Sequence, residues 1–115
     1  MRMRHPFRKP TEAERQLIVA LAERASGLQL REGWLDRFVV EEMNDGGMGS
    51  LRLSDPSHMS EGSQRFGRTA SEYRLRDEDG VEILASLNLD TAGEPFELDM
   101  WKVDFSPVIR VPTAP

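Results

Sequence analysis

The chain has 115 residues, 38% hydrophobic and 30% charged, with no cysteine and a formal net charge of -5. That composition excludes a collagen-like, low-complexity or disulfide-stapled chain and leaves one globular domain able to hide a single core. Without thiols there is no thiolate zinc site and a reducing, cytoplasmic setting fits, while the longest wholly apolar run, Leu17–Ala22, falls far short of the ~20 residues that span a bilayer.

The net charge conceals an asymmetry. Residues 1–10 contain Arg2, Arg4, Arg8 and Lys9 and no acid, whereas residues 11–115 carry 11 basic and 20 acidic groups. The expected organisation is a basic flexible tail over 1–10 and one domain over 11–115. No apolar stretch follows the basic residues, so a secretory signal is not expected. An acidic body repels phosphate backbones and attracts basic surfaces, which disfavours nucleic acid and favours a basic protein as partner.

Thr11 followed by Glu14 forms a capping-box signature, and Leu17, Leu21, Ala25 and Leu28 recur at helical spacing. A helix over Thr11–Ala25 is predicted, with Gly27 placed to end it. Arg37–Met43 suits a strand, although Trp34, Leu35, Phe38 and Val39 also fit a second helix. Asn44-Asp45-Gly46-Gly47 is a turn signal, with a partner strand over Met48–Leu53. Ser54–Gln64 reads as a long polar loop, and Arg65–Leu75 as a strand of weak alternation. After the Asp77–Gly80 turn, Val81, Ile83, Ala85, Leu87 and Leu89 alternate with polar residues, marking a half-buried antiparallel strand over Val81–Asp90. Phe96–Phe105 is the next strand. Its apolar phase changes from Phe96, Leu98 and Met100 to Trp101, Val103 and Phe105, implying a bulge or burial on both faces and a central place in the sheet. Pro107 and Pro112 limit Val108–Val111 to a short edge strand or an extended tail. The fold class is α+β, one N-terminal helix packed on a mostly antiparallel five- or six-stranded meander, since no βαβ alternation is present.

Several segments invite a chemical reading. Gly46-Gly47-Met48-Gly49-Ser50 suggests a phosphate cradle, but no lysine follows it, no helix is expected after it, and Asp45 would repel phosphate. A hairpin turn using glycines at positive φ explains it better. Asn88-x-Asp90-x-Ala92-Gly93 with Asp99 approaches a calcium loop, yet Ala92 offers no side-chain oxygen and the flanks read as strands. No nucleophile elbow and no histidine cluster is present, so neither a catalytic residue, a metal ligand nor a cofactor site is assigned. His58, in the long loop, is kept as a binding candidate with Asp45, Gly46 and Gly47. Glu97, Asp99, Trp101, Lys102 and Asp104 form the other candidate group. On an ideal strand Glu97, Asp99 and Trp101 share one face, while Lys102 and Asp104 take the other. Acids around an exposed indole would suit a basic partner. If Trp101 is core instead, the acids are a solvated face with Lys102 as ion-pair partner.

The stretches Asn44-Asp45-Gly46-Gly47-Met48-Gly49-Ser50-Leu51 and Phe96-Glu97-Leu98-Asp99-Met100-Trp101-Lys102-Val103-Asp104-Phe105-Ser106-Pro107 resemble an uncharacterised family of small bacterial domains of unknown function. The resemblance runs from Pro10 to Pro112 and implies no activity, cofactor or catalytic residue. In size and acidity the chain is also similar to bacterial immunity proteins, which neutralise toxins by binding them, although no motif carries that comparison. The leading expectation is a non-enzymatic, immunity- or adaptor-like binding module with an acidic face for a basic protein. Two alternatives stand beside it: a small-ligand protein or enzyme with a helix–sheet pocket near Asp45, Tyr73 and Asn88, and a homodimer through a sheet edge.

Overall fold

A computed structural model describes residues 6–57 and 65–113. Helix α1, Glu12–Arg24, starts where the capping box places it. The Thr11 hydroxyl accepts from the Glu14 amide at 3.2 Å, and the Glu14 carboxylate accepts from the Thr11 amide at 2.8 Å. Such a cap is worth about 1 kcal/mol. Leu17, Ile18 and Leu21 are fully buried on its inner face. The helix closes at Ala25, and Gly27 takes its left-handed conformation in the turn beyond.

The ambiguous segment divides between both readings. Trp34–Arg37 is a single helical turn, α2, and Val39–Glu42 is strand β1. Trp34 and Phe38, one helical turn apart, stack at 4.6 Å with their planes 8° apart. The remaining strands are β2 (Leu51–Ser54), β3 (Phe66–Arg76), β4 (Glu82–Asp90) and β5 (Pro95–Lys102).

All five strands pair antiparallel in the order β1-β2-β5-β4-β3. The α+β class holds and β5 is central as expected. The order is not a plain meander, because β2 pairs with β5 rather than with β3. There is no sixth strand among the described residues: Val108–Val111 lies outside the sheet and bends at Ile109 and Arg110, with the Val108 amide donating to the Gly47 carbonyl at 2.9 Å. Residue 8 also belongs to the fold rather than to a loose tail. Arg8 exchanges backbone hydrogen bonds with Val40 at 2.8 and 2.7 Å, closing the β1 edge, and its guanidinium forks onto Glu14 at 2.8 and 3.0 Å. The opposite edge, β3, carries Arg68, Arg74 and Arg76, charges that oppose edge-to-edge pairing. Gly67 allows the register shift between Phe66 and Arg68, because a Cβ there would lie 2.4 Å from the Asp90 carbonyl oxygen.

One face of the sheet is covered by α1, α2 and the C-terminal segment. It contributes Val40, Leu51, Leu53, Leu75, Ile83, Ala85, Leu87, Leu98 and Met100 to the core, joined by Val108 and Val111. Strand β5 ends this row with a lysine. Lys102 opposes Ile83 on the core side and is 0% exposed. Its ammonium donates to Asp77 at 2.8 Å and Asp79 at 2.6 Å in the β3–β4 turn, and to the Pro107 carbonyl at 3.3 Å. Asp77 also accepts from the amides of Ile109 at 2.7 Å and Arg110 at 3.1 Å. One ion pair therefore joins β5, the β3–β4 turn and the C-terminal segment. The change of apolar phase near Trp101 has the same origin. The strand stops at Lys102, and a turn follows in which the Phe105 amide donates to the Lys102 carbonyl.

Burial works to raise the Asp77 pKa, but Lys102 and the amides of Ile109, Glu78 and Arg110 hold it well below the carboxylate range. For Lys102 burial works downward and is outweighed by Asp77 and Asp79, so its pKa is raised. The stabilisation is thus present above the unfolded carboxylate pKa of ~3.9 and below the unfolded lysine pKa of ~10.4, and is lost as pH moves through the folded values beyond. Lys102→Met should leave Asp77 buried without its cation and lower the Tm at pH 7 by more than about 10 °C, with part of the loss restored in Lys102→Met/Asp77→Asn. Thermal unfolding followed by circular dichroism measures this, and a single-variant loss below about 2 °C would contradict it.

Candidate functional site

The sheet face opposite the helices is polar and has no element packed over it among the described residues. Its side chains follow from register. Glu41, Arg52, Glu97, Asn88 and Thr69 form one row across all five strands. This row is knitted together, with Asn88 donating to Glu97 at 2.8 Å, Thr69 donating to Asn88 at 2.9 Å, and Arg52 lying 3.8 Å from Glu41. In the next row Asp99 opposes Ser86, which donates to Glu72 at 3.1 Å. Trp101 and Leu84 follow, then Arg74.

Trp101 is 41% exposed. The indole therefore faces solvent on the same side as Glu97 and Asp99, the arrangement that period-2 alternation places on β5. Beside it stands Phe105, 71% exposed, its ring 5.8 Å from the indole and inclined by 57°. Phe105 is the one non-glycine residue at positive φ (64°) among the described residues. A bulky side chain there costs about 1 kcal/mol or more, a strain that persists where neighbouring structure dictates the backbone. Here the turn locked to Lys102 dictates it. Sequence reading placed Phe105 within the strand and missed its part in the site. The available signal was Val103-Asp104 ahead of Ser106-Pro107, a turn-forming run.

Asp99 has no arginine or lysine within ion-pair distance among the described residues, and neither has Asp45. The Asp99 side chain is exposed, and partial desolvation of its carboxyl beside the sheet raises its pKa against a hydrogen bond from Ser50, with the Asp45 charge adding to the rise. Asp45 itself closes the glycine-rich turn. Its two oxygens accept from the amides of Met48 and Ser50, each at 3.1 Å. These amides serve the chain's own carboxylate and hold Met48–Ser50 out of β2. Gly46 and Gly47 supply φ values of 76° and 81°, and a Cβ on Gly47 would come within 3.1 Å of Pro107.

The other candidates lie elsewhere. Lys102 is in the core with Asp77. The Asp104 carboxylate accepts from the Ser106 amide and hydroxyl at 3.0 and 2.6 Å, capping its own turn. His58 lies outside the described residues, as does most of the Ser54–Gln64 loop. Asp45, Tyr73 and Asn88 do not converge, for Asn88 is on the polar face, Tyr73 is against α1 on β3, and Asp45 is at the β1–β2 turn. The Asp90 carboxylate accepts from the Ala92 and Glu94 amides at 2.9 and 3.0 Å, closing the β4–β5 hairpin.

Because the folded-state pKa of Asp99 is raised, its ionisation costs the fold stability. That cost is full above the folded pKa and absent below the unfolded one. Because Asp99 is exposed and its charge is screened by solvent, Asp99→Asn should raise the Tm at pH 7 by only about 1 °C and leave it unchanged near pH ~3, as read by calorimetry. An equal or lower Tm at pH ~7 would contradict a strained charge at this position.

No helix among the described residues is long and apolar enough to cross a membrane, and none of their His, Asp and Glu side chains group in threes that could hold a metal ion. Comparison with curated proteins and with solved structures finds no match. A family model described as domain of unknown function DUF6984 matches residues 7–112. That span includes the β1–β2 turn, the ion pair at Lys102 and the Trp101–Phe105 pair, and by it the chain belongs to the DUF6984 family.

Proposed function

We propose that this chain is a non-enzymatic, cytoplasmic protein-binding module that presents the open face of its sheet to a basic protein. The observation that carries the reading is the exposed Trp101–Phe105 pair beside Asp99, a carboxylate without a cation among the described residues. Exposed aromatic side chains of this size anchor interfaces, and charges around them steer the partner and set its orientation. An acidic body adds long-range attraction for a basic surface. Asp99 costs stability and Phe105 costs backbone strain, which is the pattern of residues kept for something other than folding.

A small-ligand reading draws on a different feature, an open groove of about 260 Å³ between the C-terminal segment and the β1–β2 turn. Glu42, Met43, Asp45, Ser50, Val108 and Val111 are among its lining residues. Its openness to solvent and its mixed polarity suit it less well to enclosing a small molecule than the aromatic face suits a protein.

The test is affinity purification of the tagged chain from its own cells at low salt, in parallel with Trp101→Ala and Asp99→Lys variants of confirmed fold. One basic protein in stoichiometric amount, lost at high salt and reduced at least about tenfold by either variant, is the expected result. Retention of the same partner by both variants would place binding away from this face. An empty eluate would move weight to the groove.

A further inference from the structure

Resting on the protein-binding reading, we infer that the group this face takes from its partner is a guanidinium, an arginine side chain laid on the Trp101 indole beside Phe105 and paired with the carboxylate of Asp99.

The case begins with which charges on the face are already satisfied. Glu97 is held by Asn88, Glu41 lies against Arg52, and Glu82 is 3.4 Å from Arg74. Asp99 is the exception: its side chain is exposed and has no arginine or lysine within ion-pair distance among the described residues. An ionised carboxylate offers about four lone-pair sites, so Asp99 keeps acceptor capacity for a further donor. A positive group from outside would supply the missing cation and fill that capacity at once.

The aromatic pair then selects among positive groups. Two rings at 57° make a corner with two faces, and alternation along β5 puts Asp99 about 7 Å from Trp101 on the same side. A planar, weakly hydrated cation can lie on an indole while its edge donates two parallel hydrogen bonds to a carboxylate. An ammonium is compact, keeps its water, and offers no flat surface to the rings. It would gain from the carboxylate and little from the aromatics. The corner is also fixed in advance, since the Phe105 backbone is tied to the Lys102 carbonyl and Lys102 is immobilised in the core. Binding therefore orders few groups on this side of the interface.

The test titrates the full-length chain with two peptides of equal length and charge, alternating arginine–glycine and lysine–glycine, and follows the indole N–H resonances. Trp34, buried and stacked on Phe38, is the internal control. The expected result is saturable movement of the Trp101 indole and Asp99 amide signals, the arginine peptide binding at least about fivefold more tightly. Phe105→Gly, which removes the ring and relaxes the positive φ, should fold normally and bring the two peptides to within about twofold of each other. Equal affinity for both peptides in the parent chain would overturn the guanidinium assignment and leave the acidic-face reading standing. Movement confined to signals away from Trp101 and Asp99 would overturn it likewise. Absence of binding by either peptide would overturn both.

Discussion

The fold depends on one buried ion pair. Lys102 occupies the last inward-facing position of the central strand, where the alternation on β5 calls for an apolar side chain. Its ammonium meets Asp77 and Asp79 from the β3–β4 turn, and Asp77 in turn collects the amides of Ile109 and Arg110. Removing charges from water is expensive, and such a pair is tolerable only when every donor and acceptor is satisfied. Here that condition is met by side chains and backbone from β5, the β3–β4 turn more than 20 residues earlier, and the C-terminal segment. An apolar core alone would not specify where the C-terminal segment lies. The ion pair does, and it brings Val108 and Val111 against the core with it.

The same residue sets the outer surface. Since Lys102 is drawn inward, Trp101 must point outward, and the turn that starts at the Lys102 carbonyl delivers Phe105 to the indole. Inward order and outward presentation are two consequences of one register. The energetic signs on the two sides differ. On the inner side Lys102 is matched by Asp77 and Asp79, and Asp77 collects the amides of Glu78, Ile109 and Arg110. On the outer side Asp99 has no cation within ion-pair distance among the described residues, and Phe105 sits in a conformation that favours glycine. A partner bringing positive charge and a flat surface would pair the carboxylate and cover the two exposed rings, which is the physical basis of the proposed role.

Much of the framework was legible in the sequence. The capping box at Thr11 and Glu14, the alternation from Val81 to Asp90 and the glycine-rich turns each carry a local mechanism, and each appears where that mechanism puts it. The α2–β1 segment stayed ambiguous because Trp34, Leu35, Phe38 and Val39 satisfy a helical stripe and a strand equally. The answer is one helical turn followed by a strand, fixed by the Trp34–Phe38 stack. Strand order was hidden for a different reason. Hairpin turns identify neighbours only when they are short, and the polar connection after β2 is long enough for β3 to start at the far edge. The sequence placed Glu97, Asp99 and Trp101 together on one face. The same alternation put Lys102 in phase with Leu98 and Met100, but lysine is rarely buried and its partner Asp77 lies 25 residues away, so its place in the core stayed hidden. Phe105 was obscured because its role arises from where the strand stops, which Lys102 decides.

Hydrogen exchange of the Ile109 and Arg110 amides tests the dependence on this ion pair most directly. Both donate to Asp77, although Ile109 is 57% exposed and neither amide belongs to the sheet. If the ion pair ties the C-terminal segment into the cooperative fold, these amides exchange only on global unfolding, with protection equal to that of Leu87 and Leu98 in the central strands. Rapid exchange at Ile109 and Arg110 while Leu87 and Leu98 remain protected would mean that the segment opens on its own, and that the Lys102–Asp77 contact does not hold the structure together.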